Sequence, residues 1–414
     1  MKISIQTLGS FGDVMPFISV AYYLKKAGLE TSILAPKDYY KVINSYGIKA
    51  YAVPSFTFAQ WDEEAERRGT LKSPYHFFRD WGDMIAPHIS SVVKASMESA
   101  VDADLILANP VCVPAQMVAE YNNIPYVLNA HQSVISPTRE HPCAMLWKPW
   151  QPDFFNRAGY GFVSVAQRVK EHALKKHRSS LGMRGVHNLG AARGQPSQNM
   201  VRLTSVSPFL IPKRPKDWKH YDHLTAYPSL LAMNNDFIPQ QLKDFLCNGS
   251  PPVFVGLGSM DAEMHVQDLM TIVTELKRAG LRAILTETLA SKLPEELLAG
   301  QYISGYVPHN QLFPQCLAIL HHGGAGTLDT ALRSGVPQII MPRFLDQFWH
   351  GDRLWKGGVA PKPLKRGQVA RSEIEAALSF VSSNEVQRHA KEVAISLREQ
   401  NGAKDVATFV LSRI

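Results

Sequence analysis

One recurrence constrains this chain more than any other feature. Lys2 to Leu8 reads as a buried strand that stops at Gly9-Ser10, and Val253-Phe-Val-Gly-Leu-Gly-Ser259 reads as a second strand with the same Gly-Ser ending. A helical pattern follows each opening, Met15 to Ala27 in the first and Val266 to Ala279 in the second, with Gly28 and Gly280 as stops. Short apolar strands then alternate with helical stretches. In the first half they are Glu30 to Ala35, Ile48 to Val53, Leu105 to Ala108, Pro125 to Asn129, Arg202 to Ser205 and His223 to Ala226. In the second they are Ala283 to Thr286, Tyr302 to Ser304, Leu317 to Leu320 and Gln338 to Met341. Strand–helix alternation demands parallel pairing through right-handed crossovers. The chain is therefore predicted to be α/β, with two Rossmann-like domains facing each other across a cleft. The expected division is a first domain over 1–226, a linker over 227–250 and a second domain over 251–383. Helices in 384–414 are expected to pack back toward the first domain.

Composition narrows the class. A chain of 414 residues with 45% hydrophobic and 19% charged residues is globular and too long for one core. No apolar run approaches the ~18 residues needed to span a bilayer. The N-terminal strand meets Gly9 and Asp13 too soon for a signal peptide. Cys112, Cys143, Cys247 and Cys316 show no metal-ligand spacing, which points to a reducing, cytoplasmic setting without disulfides. The net charge of +8 fits an anionic small molecule or a phospholipid surface. Dispersed basic residues and the absence of any helix-turn-helix, zinc-finger or RNP pattern argue against nucleic acid. The stretch from Arg157 to Arg184 is basic and amphipathic, either a solvated face or a peripheral membrane contact.

The richest local pattern is Ala318-Ile-Leu-His-His-Gly-Gly-Ala-Gly-Thr327, a buried strand, a glycine turn and a helix start. Such a turn offers free backbone N–H groups and the positive end of a helix dipole, which suits a diphosphate. His322 can add a donor there. In open α/β sheets ligands lie beyond the carboxyl ends of the strands. The turns after Leu8, Val255, Ser304, Leu320 and Met341 should then carry Asp13, Ser259, His322 and the pair Asp346-Gln347 to the ligand. Asp13 and Asp346 could each instead serve as helix caps. Asp102-Ala-Asp104 is a DxD string, but it leads into a strand, and no metal site is expected.

These residues resemble the UDP-glycosyltransferase family of the two-Rossmann (GT-B) fold. The run Val307-Pro-His, Leu312-Phe-Pro, His321-His-Gly-Gly-Ala-Gly-Thr327 and Asp346-Gln-Phe-Trp-His-Gly-Asp-Arg353 is most similar to the sterol glucosyltransferase branch, with the bacterial antibiotic and natural-product enzymes close behind. Gly9-Ser-Phe-Gly-Asp-Val-Met-Pro16 and Val255-Gly-Leu-Gly-Ser-Met260 also match. The resemblance implies an inverting, metal-independent hexosyltransferase. Its donor would be UDP-glucose or a related UDP- or dTDP-sugar, taken as a co-substrate with no cofactor. Its acceptor would be a hydroxyl on an apolar molecule such as a sterol, a lipid or a polyketide-like product.

Asp13 stands where relatives place the catalytic base. His322, Gly324, Ala325, Gly326 and Thr327 would hold the diphosphate, helped by Gly258 and Ser259, with Ser10 and Gly12 completing the donor set. Tyr306 and Val307 would face the nucleobase, and Asp346 and Gln347 the sugar hydroxyls. Tyr306 replaces the stacking Trp of plant members and Thr330 their ribose-binding Glu, which leaves uridine and thymidine both open. Phe77, Phe78, Trp81, Trp147 and Trp150 are the aromatic candidates for the acceptor pocket. No counterpart of the N-terminal lipid-binding modules of fungal sterol enzymes is expected, so the resemblance does not by itself imply a sterol acceptor, and the chain is expected to act as a monomer or homodimer. The rival readings are a non-catalytic nucleotide-sugar or lipid-binding homologue and a nucleotide-sugar epimerase.

Overall fold

A computed structural model describes residues 1–54, 86–163, 173–183, 199–229, 238–343 and 345–414. Contacts divide the chain into two compact units, Met1–Ser229 with Asn401–Ile414, and Leu230–Gln400. The first has a seven-stranded sheet built from β1 (Lys2–Gln6), β2 (Glu30–Pro36), β3 (Lys49–Val53), β4 (Leu105–Ala108), β5 (Tyr126–Ala130), β6 (Met200–Ser205) and β7 (Asp222–Thr225). Their order is β3-β2-β1-β4-β5-β6-β7, and every pairing is parallel. Strands covered on both faces are mostly apolar, and β4 and β5 are buried at every position.

Helix α1 (Phe11–Lys26) follows β1, while α2 (Ile89–Ser99) precedes β4 and α3 (Val113–Asn122) follows it. Two groups of polar side chains in this core are matched. Gln6 on β1 donates through Nε2 to Ser4 Oγ at 3.1 Å and Ser99 Oγ at 3.0 Å, and its Oε1 accepts from Ser96 Oγ at 2.5 Å. Arg202 on β6 grips Asp222 on β7 with Nε–Oδ1 at 2.6 Å and Nη2–Oδ2 at 3.0 Å, and Ser136 Oγ adds a third donor at 2.9 Å. Breaking a buried pair of this kind by removing one partner costs about 3–5 kcal/mol, because the other charge is stranded.

The second unit has a five-stranded parallel sheet of order β10-β9-β8-β11-β12. Its strands are β8 (Val253–Val255), β9 (Ala283–Thr286), β10 (Tyr302–Ser304), β11 (Ala318–His321) and β12 (Gln338–Ile340). The helices used below are α4 (Val266–Arg278), α5 (Ala325–Ser334), α6 (Gln347–Lys356), α7 (Arg371–Ser382) and α8 (Asn384–Arg398). The apolar faces of α4 and α7 close the core over β8, β9 and β11 through Leu269, Ile272, Val273, Ile374 and Leu378. In each sheet the order reverses at the first strand, β1 with β4 beside it and β8 with β11. Those are the points where open sheets bind ligands.

The expected pair of returning helices divides. Helix α8 stays with the second unit and lies against α5, where Gly335, at φ +70°, leaves room for Ala394. Only α9 (Gly402–Leu411) joins the first unit, packing on α1. Asn401 fixes its start by accepting the Lys404 N–H at 3.0 Å and donating to the Tyr23 hydroxyl at 2.7 Å. Gly402 sits so close to the carbonyls of Ala226 and Tyr227 that no side chain would fit. Within the helical stretch expected from Phe154 to Leu181, residues 156–163 and Lys175–Ser180 are helical, and 164–172 lie outside the described residues. No helix among the described residues is long and apolar enough to cross a membrane.

Candidate active site

Asp13 belongs to the first turn of α1, which begins at Phe11 rather than at the expected Met15. The cause is local: Ser10 caps the helix, and the residue three positions on is an acid. Ser10 directs both its N–H and its hydroxyl to Asp13 Oδ2, at 2.8 and 2.9 Å. Thr7 Oγ1 donates to the Asp13 carbonyl at 2.9 Å. Gly9, at φ +122°, lies against the carboxylate, and a Cβ there would come within 2.7 Å of Asp13 Cγ. These contacts orient the carboxylate, half-buried at the carboxyl end of β1. Across from β1, the Tyr39 phenol after β2 is pushed up to about 12 by burial and then by the negative charges of Asp13 and Asp38.

In the second unit β11 ends at His321, and the turn His322-Gly323-Gly324 leads into α5. Gly323, at φ +90°, packs against α6, so a Cβ would lie 3.3 Å from the Gln347 carbonyl and 3.2 Å from Ile340 Cγ2. Gly324 is the helix cap, and a Cβ there would run into the His322 ring. No side chain caps α5, and the first-turn amides of Ala325, Gly326 and Thr327 have no intrahelical acceptors. Three amides and a helix dipole at one point make an anion site.

Two histidines set this turn. His321 is fully buried; its Nδ1 accepts the Gly323 N–H at 3.1 Å and its Nε2 donates to Gln338 Oε1 at 2.7 Å. Burial, the His322 ring and other neighbours hold it down to about 3, a neutral imidazole of fixed tautomer. His322 is pushed down to about 4 by burial and then by His350, and its buried Nδ1 has no partner among the described residues. A neutral imidazole beside the turn donates a hydrogen bond without bringing a full charge. Gly258, at φ +62°, brings the turn after β8 to this ring, 3.7 Å from His322 Cε1 to a Cβ built there. That turn is pinned by Asp261, whose Oδ1 accepts the Leu257 N–H at 2.5 Å. Ser259 follows Gly258 in the same short helical segment.

Asp346 caps α6 and is preceded by Leu345 at φ +52°, a strained conformation for a leucine. Burial raises the Asp346 carboxyl above its ordinary range, and His350 opposes that shift. Gln347 is turned inward. Its Oε1 accepts the Arg343 N–H at 2.8 Å and its Nε2 points at Met260 Sδ, 3.7 Å away. His350 donates from Nδ1 to the Gly323 carbonyl at 2.8 Å, and its Nε2 stands 3.9 Å from Asp346 Oδ2. His322, the glycine turn, Gly258, Asp346 and Gln347 are thus brought together in one unit.

The remaining expected residues fall as follows. Tyr306 is 75% exposed, whereas the Val307 side chain is buried with Leu312, Phe313 and Ile319. Gly12 lies in the first turn of α1. Trp147 is half-buried and Trp150 is 78% exposed, close in sequence to the paired rings of Phe154 and Phe155, 4.4 Å apart. Phe77, Phe78 and Trp81 lie outside the described residues. Asp104 of the DxD string accepts the Lys2 N–H at 2.7 Å, fixing the start of β1. Sequence reasoning missed His350 and also His131, a buried ring between Phe17 and Tyr227 at the end of β5. The spacing of four from Asp346 to His350, one helical turn, was the available signal for the former.

Residues 3–137 match the glycosyltransferase family 28 N-terminal domain, and residues 283–414 match the C-terminal domain of erythromycin biosynthesis protein CIII-like proteins. The sterol 3-beta-glucosyltransferase UGT80B1 of Arabidopsis thaliana is 26% identical over 97% of this chain and 66% of its own length. The sterol 3-beta-glucosyltransferase of Kluyveromyces lactis is 27% identical over 100% of this chain and 34% of its own. The chain thus spans about two thirds of the plant relative and about a third of the fungal one. Among solved structures, the glycotransferase of kitacinnamycin has a TM-score of 0.75 at 15% identity, covering 100% of this chain and 98% of that one. The glycosyltransferase SnogD from Streptomyces nogalater has a TM-score of 0.66 at 20% identity, covering 100% and 99%. With a family 28 domain at its start, a CIII-like domain at its end and two parallel sheets, the chain has the GT-B fold, is similar in sequence to sterol glucosyltransferases and is similar in fold to bacterial natural-product glycosyltransferases.

Proposed function

We propose that the protein transfers a hexose, with inversion, from a UDP- or dTDP-sugar to a hydroxyl of an apolar acceptor. The observation that carries this reading is the glycine turn at the start of α5, with His322 and the Asp346 carboxylate gathered around it. Preorganised amides and a neutral imidazole stabilise the diphosphate as it leaves, a contribution available without a metal. Asp346, a buried carboxylate at a helix start, suits the hydroxyls of the donor sugar. Asp13, oriented by Ser10, takes the acceptor proton, a step worth roughly 10²–10⁴-fold. A single base with no second nucleophile corresponds to direct displacement, by analogy with inverting glycosidases.

The donor base is left between uracil and thymine. The relatives by sequence are sterol glucosyltransferases, while VinC and SsfS6 have structures with thymidine diphosphate. The exposed rings of Trp150, Phe154 and Phe155 favour a lipid-like acceptor reached from a membrane surface in the cytoplasm. The test is a donor screen, by thermal shift with UDP, dTDP and their glucose esters, followed by product mass with sterol, lipid and polyketide alcohols. A glycosylated product of inverted anomeric configuration is the expected result. Donor binding without turnover on any alcohol would favour a binding protein, and conversion of the sugar with no acceptor present would favour an epimerase.

A further inference from the structure

His350 is buried to 0% and lies on α6, one turn after Asp346. Its two ring nitrogens face different parts of the donor site. Nδ1 is 2.8 Å from the Gly323 carbonyl, and since a carbonyl only accepts, Nδ1 carries the proton. Nε2 faces Asp346 Oδ2 at 3.9 Å and is one of the buried polar atoms without a hydrogen-bond partner. Gly323 is held from the other side as well, its N–H donating to His321 Nδ1 at 3.1 Å. One peptide of the diphosphate turn is therefore clamped between two buried histidines, and one of them also reaches toward the sugar carboxylate. A buried nitrogen left 3.9 Å from a carboxylate is a gap that closes by a small rotation of either side chain.

We propose that His350 is a positioning residue that couples the sugar-binding carboxylate Asp346 to the diphosphate turn through Gly323. The inference rests on the donor-site reading above. When a sugar hydroxyl engages one oxygen of Asp346, the Asp346–His350 pair takes up one proton, shared between Oδ2 and Nε2, and Nδ1–H holds Gly323 in the conformation that aims the α5 amides at the diphosphate. A nucleotide without its sugar leaves Asp346 unengaged and does not use the link. The site thereby grips an intact donor and its parent nucleotide differently.

The test is calorimetric titration of UDP and UDP-glucose, and of dTDP and dTDP-glucose, into wild type and variants. His350→Phe keeps the ring volume and removes both nitrogens. It should shift the ratio of the two affinities about tenfold against the sugar nucleotide, the weight of one charge-assisted hydrogen bond. Binding of the bare nucleotide should change by less than about threefold. His350→Asn restores the donor to Gly323 without the reach to Asp346, and His350→Gln does the reverse, so both should show the shifted ratio while remaining folded. Asp346→Asn combined with His350→Phe should be no worse than either alone, the signature of coupled residues. An unchanged ratio in His350→Phe, an equal loss for both ligands, or additive effects with Asp346→Asn would overturn the coupling. If folded wild type binds none of the four nucleotides, the donor-site reading fails, and the coupling with it.

Discussion

Both hydrogen-bond donors of Ser10 end on a single oxygen of Asp13, Oδ2, at 2.8 and 2.9 Å. One of them is backbone and survives any side-chain change, so the two residues can be separated by mutation. Asp13→Asn removes the base and should lower kcat by roughly 10²–10⁴-fold with donor KM little changed. Ser10→Ala retains the backbone donor and should cost kcat less than about tenfold. Steady-state kinetics on the best donor and acceptor pair checks both, and turnover of Asp13→Asn within a few-fold of wild type would refute the base assignment.

His321 holds the turn without facing the ligand. His321→Leu leaves the Gly323 N–H and the Gln338 oxygen buried without partners, each costing about 1–3 kcal/mol. The denaturation midpoint should fall accordingly, and donor KM should rise while acceptor KM does not. A stable variant with normal donor KM would show that the turn is rigid by itself.

Among the described residues, burial holds His131 and His321 down to about 3 and His322 to about 4. The unfolded chain protonates its histidines near 6.5. Below that value the unfolded state binds more protons than the folded one, so stability is complete above about 6.5 and is lost as the pH falls toward 4 and then 3. At pH 5 each such histidine should cost about 2 kcal/mol. Urea midpoints between pH 7 and 4.5 read this directly. His322→Gln should flatten the curve, and an unchanged slope in that variant would remove His322 from the account.

Gly402 marks where α9 meets the first unit. Gly402→Ala places a methyl group against the Ala226 and Tyr227 carbonyls and should destabilise that unit by about 1–3 kcal/mol. Nucleotide binding by the second unit should be unaffected. A loss of nucleotide affinity comparable to the loss of stability would contradict that separation.

Much of this was legible in the sequence. Parallel strands buried on both faces are mostly apolar runs, and Leu105 to Ala108 and Ala318 to Leu320 announce themselves by that rule. The glycine turn was readable because Gly323 and Gly324 each fill a place that a side chain could not. Other features depend on neighbours far away in sequence. His350 looks like one more polar residue on a helix until Gly323, 27 positions earlier, supplies its acceptor. Val307 sits in a polar-looking turn, and only the packing of Leu312 and Phe313 beneath it shows that its side chain belongs to the core. The start of α1 lay in plain view, since Ser10 and Asp13 have capping-box spacing, but weighing Asp13 as the cap itself misses that Ser10 is the N-cap and Asp13 its partner three residues on.

Because α9 belongs with the first sheet, that unit is discontinuous, with the whole second unit inserted between Ser229 and Asn401. On the ribosome the second unit can be complete while the first still lacks the helix that covers α1. The first unit is thus finished after the second, although its first strand is made before it. Its closing step waits for a segment tethered through a folded body, which shortens the effective loop and lowers the entropy cost of bringing that helix home.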